Sequence, residues 1–267
     1  MEKIMVFIPM YNCQNQVVRV LDQFDEEMCK YIDEVVVVNN RSTDDGENAV
    51  INYLKTHNLN TKFTLLRNNQ NYGLGGSHKV AFNYAIKNNY DYIIVLHGDD
   101  QGAIKDFKEL LDSKEYQKYT GVLGARFMKK SKLIGYSKTR IIGNKLFNLL
   151  FSIISGKKVY DLGSGLNMYK VDDLKDQHYL TMPDTLYFND CMILYHCYKK
   201  EKILFYPITW RETDQVSNNK ILKFSMSLLK MLFRYRLSPR KYFSKDMSNQ
   251  KFTNYDSEVV IEIGGKQ

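Results

Sequence analysis

The residues best placed to do chemistry are Asp99 and Asp100, which follow the apolar run Tyr92 to Leu96 in the order His97-Gly98-Asp99-Asp100-Gln101. Two carboxylates at the end of a buried strand can hold a hard divalent cation such as Mg2+ or Mn2+, with Gln101 adding a neutral oxygen. Such a cation would bridge a diphosphate and stabilise the charge that develops when a nucleoside diphosphate leaves. A solvated acidic loop presents the same pair; the order strand, acids, Gln and then a helix expected from Ala103 favours the site. Upstream, Asn71-Tyr72-Gly73-Leu74-Gly75-Gly76-Ser77 is expected to turn and then open a helix capped by Ser77. Its backbone amides could face a phosphate, although a tight turn explains the glycines equally well. The cluster lacks the Lys-Ser/Thr ending of a nucleotide-hydrolysing P-loop, which disfavours that chemistry.

The elements that must position these residues are legible from periodicity. Ile4 to Ile8, Glu34 to Val38, Phe63 to Leu66 and Tyr92 to Leu96 are short apolar runs and read as buried strands. Helical spacing follows the first over Val17 to Lys30. Ser42, Thr43 and Asp44 offer N-caps for a helix through Leu54. About four strand-then-helix rounds in the first hundred residues predict an α/β fold with a parallel, doubly wound sheet. Ligands bind beyond the carboxyl ends of such strands, where the polar clusters Tyr11-Asn12, Asn39-Asn40-Arg41 and Asp99-Asp100 fall. Further on, Gly121 to Ala125, Leu166 to Tyr169 and Ile203 to Ile208 read as strands, and Ile141 to Ile154 and Asp190 to Lys200 as helices. Val259 to Ile263 suits an extra edge strand.

The 267 residues carry 38 Lys and Arg against 30 Asp and Glu, a formal charge of +8 that points to an anionic partner or simply to a lysine-rich composition. The segment Ile221 to Arg236 sets Ile221, Phe224, Leu228, Leu229 and Leu232 on one side and Lys220, Lys223, Ser227, Lys230 and Arg234 on another. A basic amphipathic helix of this kind can lie in an anionic membrane interface, or dock as an ordinary surface helix. No run reaches the roughly 18 apolar residues of a membrane span, and the opening residues lack a signal-peptide core. The expected location is cytoplasmic, at most peripheral on the inner face of the cell membrane. Cys13, Cys29, Cys191 and Cys197 form no CxxC pair and read as packing thiols. The histidines have no zinc spacing, and the spread of Tyr and basic residues matches no nucleic-acid module.

Taken in order, these motifs resemble family 2 inverting glycosyltransferases of the GT-A fold, nearest the branch of dolichyl-phosphate mannose synthase and polyprenyl-phosphate glycosyltransferases. Ile8-Pro9-Met10-Tyr11-Asn12 is similar to the family's P-x-Y-N strand end, and Val38 to Asp44 to its V-D-D-G-S-T-D stretch. Asn71 to Ser77 resembles the N-x-G-x-G helix start. His97 to Gln101 stands at D-A-D-L-Q and Gly124-Ala125-Arg126 at G-S-R. Arg140, followed by Asn144, stands at a phosphate-binding Arg in a helix. Asp161 to Leu166 resembles D-x-x-S-G-F, and Arg211 to Ser217 the late R-x-x-G-x-S loop. The likeness implies a mostly parallel Rossmann-like sheet in a domain over residues 1–217, with a basic helix and tail over 218–267.

It further implies that Pro9, Tyr11, Asn12, Asn40, Ser42, Gly73, Gly75, Asp99 and Asp100 bind the nucleotide-sugar, and that Asp99 and Gln101 hold Mg2+ or Mn2+. Asp190 stands where relatives carry the catalytic base, and Arg126, Arg140 and Arg211 where they grip phosphate. The implied acceptor is a polyprenyl phosphate or a lipid-linked glycan, in cell-surface polysaccharide synthesis. The departures are His97 for the first metal acid, Asn39 and Asn40 for two Asp, and Cys13 for Glu. A sugar-phosphate nucleotidyltransferase and a non-catalytic sugar-nucleotide-binding module are the alternative readings; the first lacks its Arg/Lys-bearing loop after the first strand.

Overall fold

The computed structural model describes residues 2–57, 59–214 and 221–264, with side chains from 225 onward in the last segment. In chain order the elements are β1 (Ile4–Met10), α1 (Gln14–Leu21), β2 (Glu34–Asn39), α2 (Gly46–Thr56), β3 (Lys62–Asn68), α3 (Gly73–Lys87), β4 (Tyr92–Leu96) and α4 (Lys108–Ser113). They continue with β5 (Gly121–Ala125), β6 (Lys132–Ile134), α5 (Lys138–Ser155), β7 (Leu166–Lys170), α6 (Phe188–Tyr198), β8 (Ile203–Pro207), β9 (Thr209–Arg211), α7 (Ile221–Leu237), α8 (Pro239–Phe243) and β10 (Ser257–Ile263).

Eight strands form the main sheet in the order β10-β3-β2-β1-β4-β7-β5-β8, and β6 pairs with β9 apart from it. Strands β3, β2, β1 and β4 run parallel, whereas β7 and β10 pair antiparallel with their neighbours. The fold is thus α/β with a mostly parallel sheet flanked by helices. Side-chain alternation sends Ile4, Val6, Ile8 and Met10 of β1 into one apolar layer and Met5 and Phe7 into the other. Burial on both faces is why the parallel strands read as unbroken apolar runs.

The helix expected from Ala103 opens as a 3-10 turn at Ile104–Phe107 and becomes α-helical only at Lys108, and three helix boundaries earlier in the chain also differ from the periodicity. The first helix stops at Leu21, because the Asp25 carboxylate accepts the Met28 N–H and begins a separate 3-10 turn. The second starts at Gly46 after Asp45 rather than from Ser42 to Asp44. The third starts at Gly73, four residues before the expected cap. Asn71 Oδ1 accepts the Gly73 N–H, and the Asp184 carbonyl accepts from Gly75 and Gly76. Ser77 is buried inside the helix, and its Oγ accepts from Asn68.

Residues 221–264 are woven into this core. Strand β10 extends the sheet along β3, and Leu228, Met231, Leu232 and Tyr235 of α7 are buried against the layer beneath α3 and α6. Lys79, on α3, is fully buried and forms a 2.6 Å ion pair with Asp184; its ammonium also donates to the Met182 carbonyl and the Tyr255 hydroxyl. Asp184 in turn accepts from the Asn249 N–H and Tyr255. One buried pair therefore joins α3, the loop at 182–186 and the C-terminal segment. Removing one partner of a buried pair leaves the other charge uncompensated. Lys79→Met is expected to cost about 3–5 kcal/mol in urea denaturation, and adding Asp184→Asn should recover part of that loss.

Candidate active site

The sheet order reverses between β1 and β4, and their carboxyl ends meet closely. The Gly98 N–H donates to the Pro9 carbonyl at 3.2 Å, and a Cβ on Gly98 would stand 2.8 Å from that oxygen. Beside this contact opens a cavity of about 460 Å3. Its walls come from Pro9, Met10, Tyr11 and Cys13 after β1, Asn40 after β2, Asn71, Gly73, Leu74 and Ser77 at the start of α3, His97, Gly98 and Asp99 after β4, and Thr185 and Leu186. Tyr11 is half exposed at the rim, where a flat ring can stack on a base.

A second cavity, of about 530 Å3, lies on the other side of His97. Arg126, Tyr136, Arg140, Asn144, Asn189, Asp190 and Leu228 are among its walls, and Leu74, His97 and Leu186 border both spaces. His97 is held by its N–H on the Gly165 carbonyl, and a Cβ at Gly165 would lie 2.6 Å from the imidazole Cγ. Burial, helped by the Arg126 charge, drives its pKa down to about 4, so the ring is neutral near pH 7. Its Nε2 is buried without a hydrogen-bond partner among the described residues.

The carboxylates divide between roles. Asp99 accepts from the Gln101 N–H, and burial pushes its pKa up to about 6, partly offset by backbone hydrogen bonds. Asp100, expected beside the nucleotide, turns away: with φ at +58° it bonds Arg19, Gln23 and Arg211. Gln101 is outside both cavity walls; its N–H meets Asp99 and its carbonyl accepts from the Arg211 N–H. Among the described residues no three His, Cys, Asp or Glu side chains converge as a metal cage. One half-buried carboxylate beside a roomy cavity fits a hard cation whose remaining ligands are diphosphate oxygens and water. It does not fit an all-protein site.

Several expected nucleotide contacts are structural ties instead. Asn40 Oδ1 accepts from Asn68 and the Tyr72 N–H while its Nδ2 donates to Asn71, which clamps the loop before α3 although the residue also lines the cavity. Asn12, at φ +51°, accepts from Thr43, and its own N–H donates to Ser42 Oγ. Asn12 and Ser42 thus lace the loops after β1 and β2 and lie outside the cavity wall. Gly75 also lies outside it: its N–H is held by the Asp184 carbonyl, and a Cβ there would come within 2.3 Å of the Pro183 carbonyl. The early α3 amides at Gly75 and Gly76 are therefore taken, which corrects the expectation that they receive a phosphate.

The arginines differ in the same way. Arg126 is buried and bidentate on Asp161, with its guanidinium over Trp210. Arg140 bonds both Glu212 oxygens and lies over Tyr136. Arg211 points to Asp100 and reaches neither cavity, contrary to its expected phosphate role. The loop motif beyond it, through Ser217, extends past the described residues. Asp190 is in the first turn of α6, 3% exposed; burial and the Asp161 charge raise its pKa well above the usual carboxylate range. Tyr136, Thr185 and Leu186 were missed from sequence, and Asp161 was read as part of a motif without its pairing to Arg126. Of these only Asp161 lies in a recognisable motif.

The sequence profile of Glycosyl transferase family 2 matches residues 5–177. The chain belongs to this family. An uncharacterised protein of Methanocaldococcus jannaschii is 26% identical over 187 residues, covering 67% of this chain and 72% of that one. The fold is shared with solved structures at lower identity. S. aureus TarS 1–349 superposes with a TM-score of 0.58 at 17% identity, over 88% of this chain and 64% of that one. Glucosyl-3-phosphoglycerate synthase from Mycobacterium tuberculosis, in complex with Mn2+, UDP and phosphoglyceric acid, gives 0.61 at 13%, over 89% and 79%. Mannosyltransferase PcManGT from Pyrobaculum calidifontis, with GDP-Man and Mn2+, gives 0.56 at 16%, over 89% and 63%. This family 2 chain thus spans under two thirds of the TarS and PcManGT chains.

The buried acid gives a stability test. A carboxyl whose folded pKa is raised keeps its proton while the unfolded chain ionises, so stability is lost as pH climbs from the unfolded value through the folded one. Asp190→Asn should raise the thermal midpoint, and the gain should be larger at pH 8 than at pH 5. Equal midpoints of mutant and parent at both pH values would remove the case for a raised Asp190 pKa.

Proposed function

We propose that this chain is an inverting glycosyltransferase that moves a sugar from a nucleotide-sugar donor to a hydroxyl of a lipid-linked saccharide. The observation that carries the reading is the pair of cavities meeting at His97, with Asp99 bordering one and Asp190 the other. The first is sized and lined for a nucleoside diphosphate, with Tyr11 at the base end and Asp99 at the diphosphate end. Mg2+ or Mn2+ held by Asp99 with the donor's own oxygens would neutralise the leaving diphosphate. The Mn2+ complexes of the Mycobacterium and Pyrobaculum proteins support that cofactor.

The acceptor enters the second cavity. The Asp190 carboxylate takes the proton of its hydroxyl as that oxygen attacks the anomeric carbon. The bond from that carbon to the diphosphate oxygen breaks, and its electron pair leaves with the nucleoside diphosphate. Attack opposite the leaving group inverts the anomeric centre. Burial and the Asp161 charge raise the proton affinity of the Asp190 carboxylate, which in its ionised form takes up the hydroxyl proton as general base. Arg126 and Arg140 are already paired with Asp161 and Glu212, and the same space holds Asp190. This balance favours a neutral hydroxyl over a polyprenyl phosphate. His97, neutral and unsatisfied at Nε2, stands where the sugar must lie and offers a hydrogen bond to one of its hydroxyls.

Asp190→Asn is expected to lower kcat about 10²–10⁴-fold, with binding of the nucleoside diphosphate changed little. Asp99→Ala should remove the Mn2+ dependence of nucleotide binding and reduce turnover to background. The measurement is transfer from UDP-, GDP- and dTDP-sugars to extracted lipid-linked glycans, with product anomers assigned by NMR. Full activity of Asp190→Asn, or retention of configuration, would overturn the proposal.

A further inference from the structure

The positive charge of this chain is concentrated in two stretches. Residues 126–160 and 221–245 together hold sixteen of the 38 Lys and Arg and none of the 30 Asp and Glu. The rest of the chain therefore holds 22 cations against 30 acids, a balance of −8. These stretches contain α5 and α7, which pack against each other and both wall the cavity that holds Asp190.

Their outward faces are apolar as well as basic. On α5, Ile142, Leu146, Leu149 and Ile153 are 56–70% exposed at a spacing that keeps them in one row. On α7, Met226, Leu229, Phe233 and Leu237 form a second row, 40–69% exposed, opposite the buried Leu228, Met231, Leu232 and Tyr235. Helix α7 is thus apolar on two sides, not on the one side that its sequence suggested. The side chains of Ile221, Lys223 and Phe224 lie outside those described. Together the two rows supply eight of the twelve strongly exposed large apolar side chains among the described residues. Exposed Lys138, Lys145, Lys230 and Arg234 flank them.

We infer that the outward faces of α5 and α7 dock on an anionic lipid bilayer, so that the Asp190 cavity is walled by the two helices that touch the membrane. Aliphatic rows bordered by cations, without an acid in either stretch, match an acyl boundary beneath anionic headgroups. A second copy of the chain fits worse, since an isologous contact would set these cations against themselves. Nucleic acid would leave the aliphatic rows unmatched, because strand binding depends on aromatic stacking and Phe233 is the one aromatic in either row. The inference rests on the lipid-linked acceptor proposed above for its purpose, but its binding can be measured without sugar transfer.

The test is cosedimentation of the full chain with vesicles of phosphatidylcholine alone or mixed with phosphatidylglycerol, without donor. Wild type should pellet with the mixed vesicles and be released by salt. Leu146→Ser/Leu149→Ser/Phe233→Ser and Lys145→Glu/Lys230→Glu/Arg234→Glu should each lose at least about tenfold in partitioning. Their thermal midpoints and UDP or GDP binding should stay like wild type. The inference is overturned if wild type stays in the supernatant, if folded variants pellet like wild type, or if the apolar variant instead dissociates a solution dimer. Vesicle binding without transfer to any acceptor would sink the enzymatic reading alone. Transfer to a free saccharide by a chain that ignores vesicles would sink the docking surface alone.

Discussion

The contact between Gly98 and the Pro9 carbonyl is the constraint on which the site depends. It brings the ends of β1 and β4 together where the sheet order reverses, and it leaves no room for a side chain. Burial of both strands on two faces makes that meeting rigid. The cleft beside it is therefore preformed, with Asp99 fixed at its edge by the strand that precedes it. Around the cleft, residues that look like ligand contacts are spent on holding loops: Asn12 with Thr43 and Ser42, Asn40 with Asn68, Asn71 and Tyr72. A scaffold laced in this way holds its few reactive groups in position before substrate arrives.

Electrostatics follow from the same burial. Burial raises the pKa of both Asp99 and Asp190, and Arg126, whose charge acts on Asp99, is paired with Asp161. Under the proposed function, such a site would suit a divalent cation arriving with an anionic donor, and a neutral acceptor that surrenders a proton. Arg126 has a second effect: its charge helps keep His97 neutral at the boundary between the two spaces. In the proposed reading His97 stands in place of an acid as a wall between the two spaces, and a cation would be held by Asp99 and the diphosphate.

Much of this was legible in the sequence, for physical reasons. Strands such as Ile4–Met10 and Tyr92–Leu96 announce themselves because both faces are covered. Asp99 stands out because an acid directly after a buried strand must sit at its carboxyl end. Polar contacts made by distant parts of the chain were not legible. Nothing near Gly75 in sequence indicates that the Asp184 carbonyl will take its N–H. Nothing near Arg211 indicates that it will bond Asp100 rather than a ligand. Lys79 resembles any helix lysine until Asp184 and Tyr255 close over it. Helix periodicity likewise located α5 and α7 but could not show which of their apolar residues the core would cover.

The central claim is that Asp99 holds a cation together with the diphosphate of a nucleotide bound along the β1 and β4 ends. Anomalous diffraction from crystals soaked with MnCl2 and either UDP or GDP tests it most directly. The account predicts a manganese peak bonded to the Asp99 carboxylate and to diphosphate oxygens, with the base against Tyr11. Nucleotide bound with Asp99 free of manganese, or manganese bound elsewhere in the chain, would contradict it.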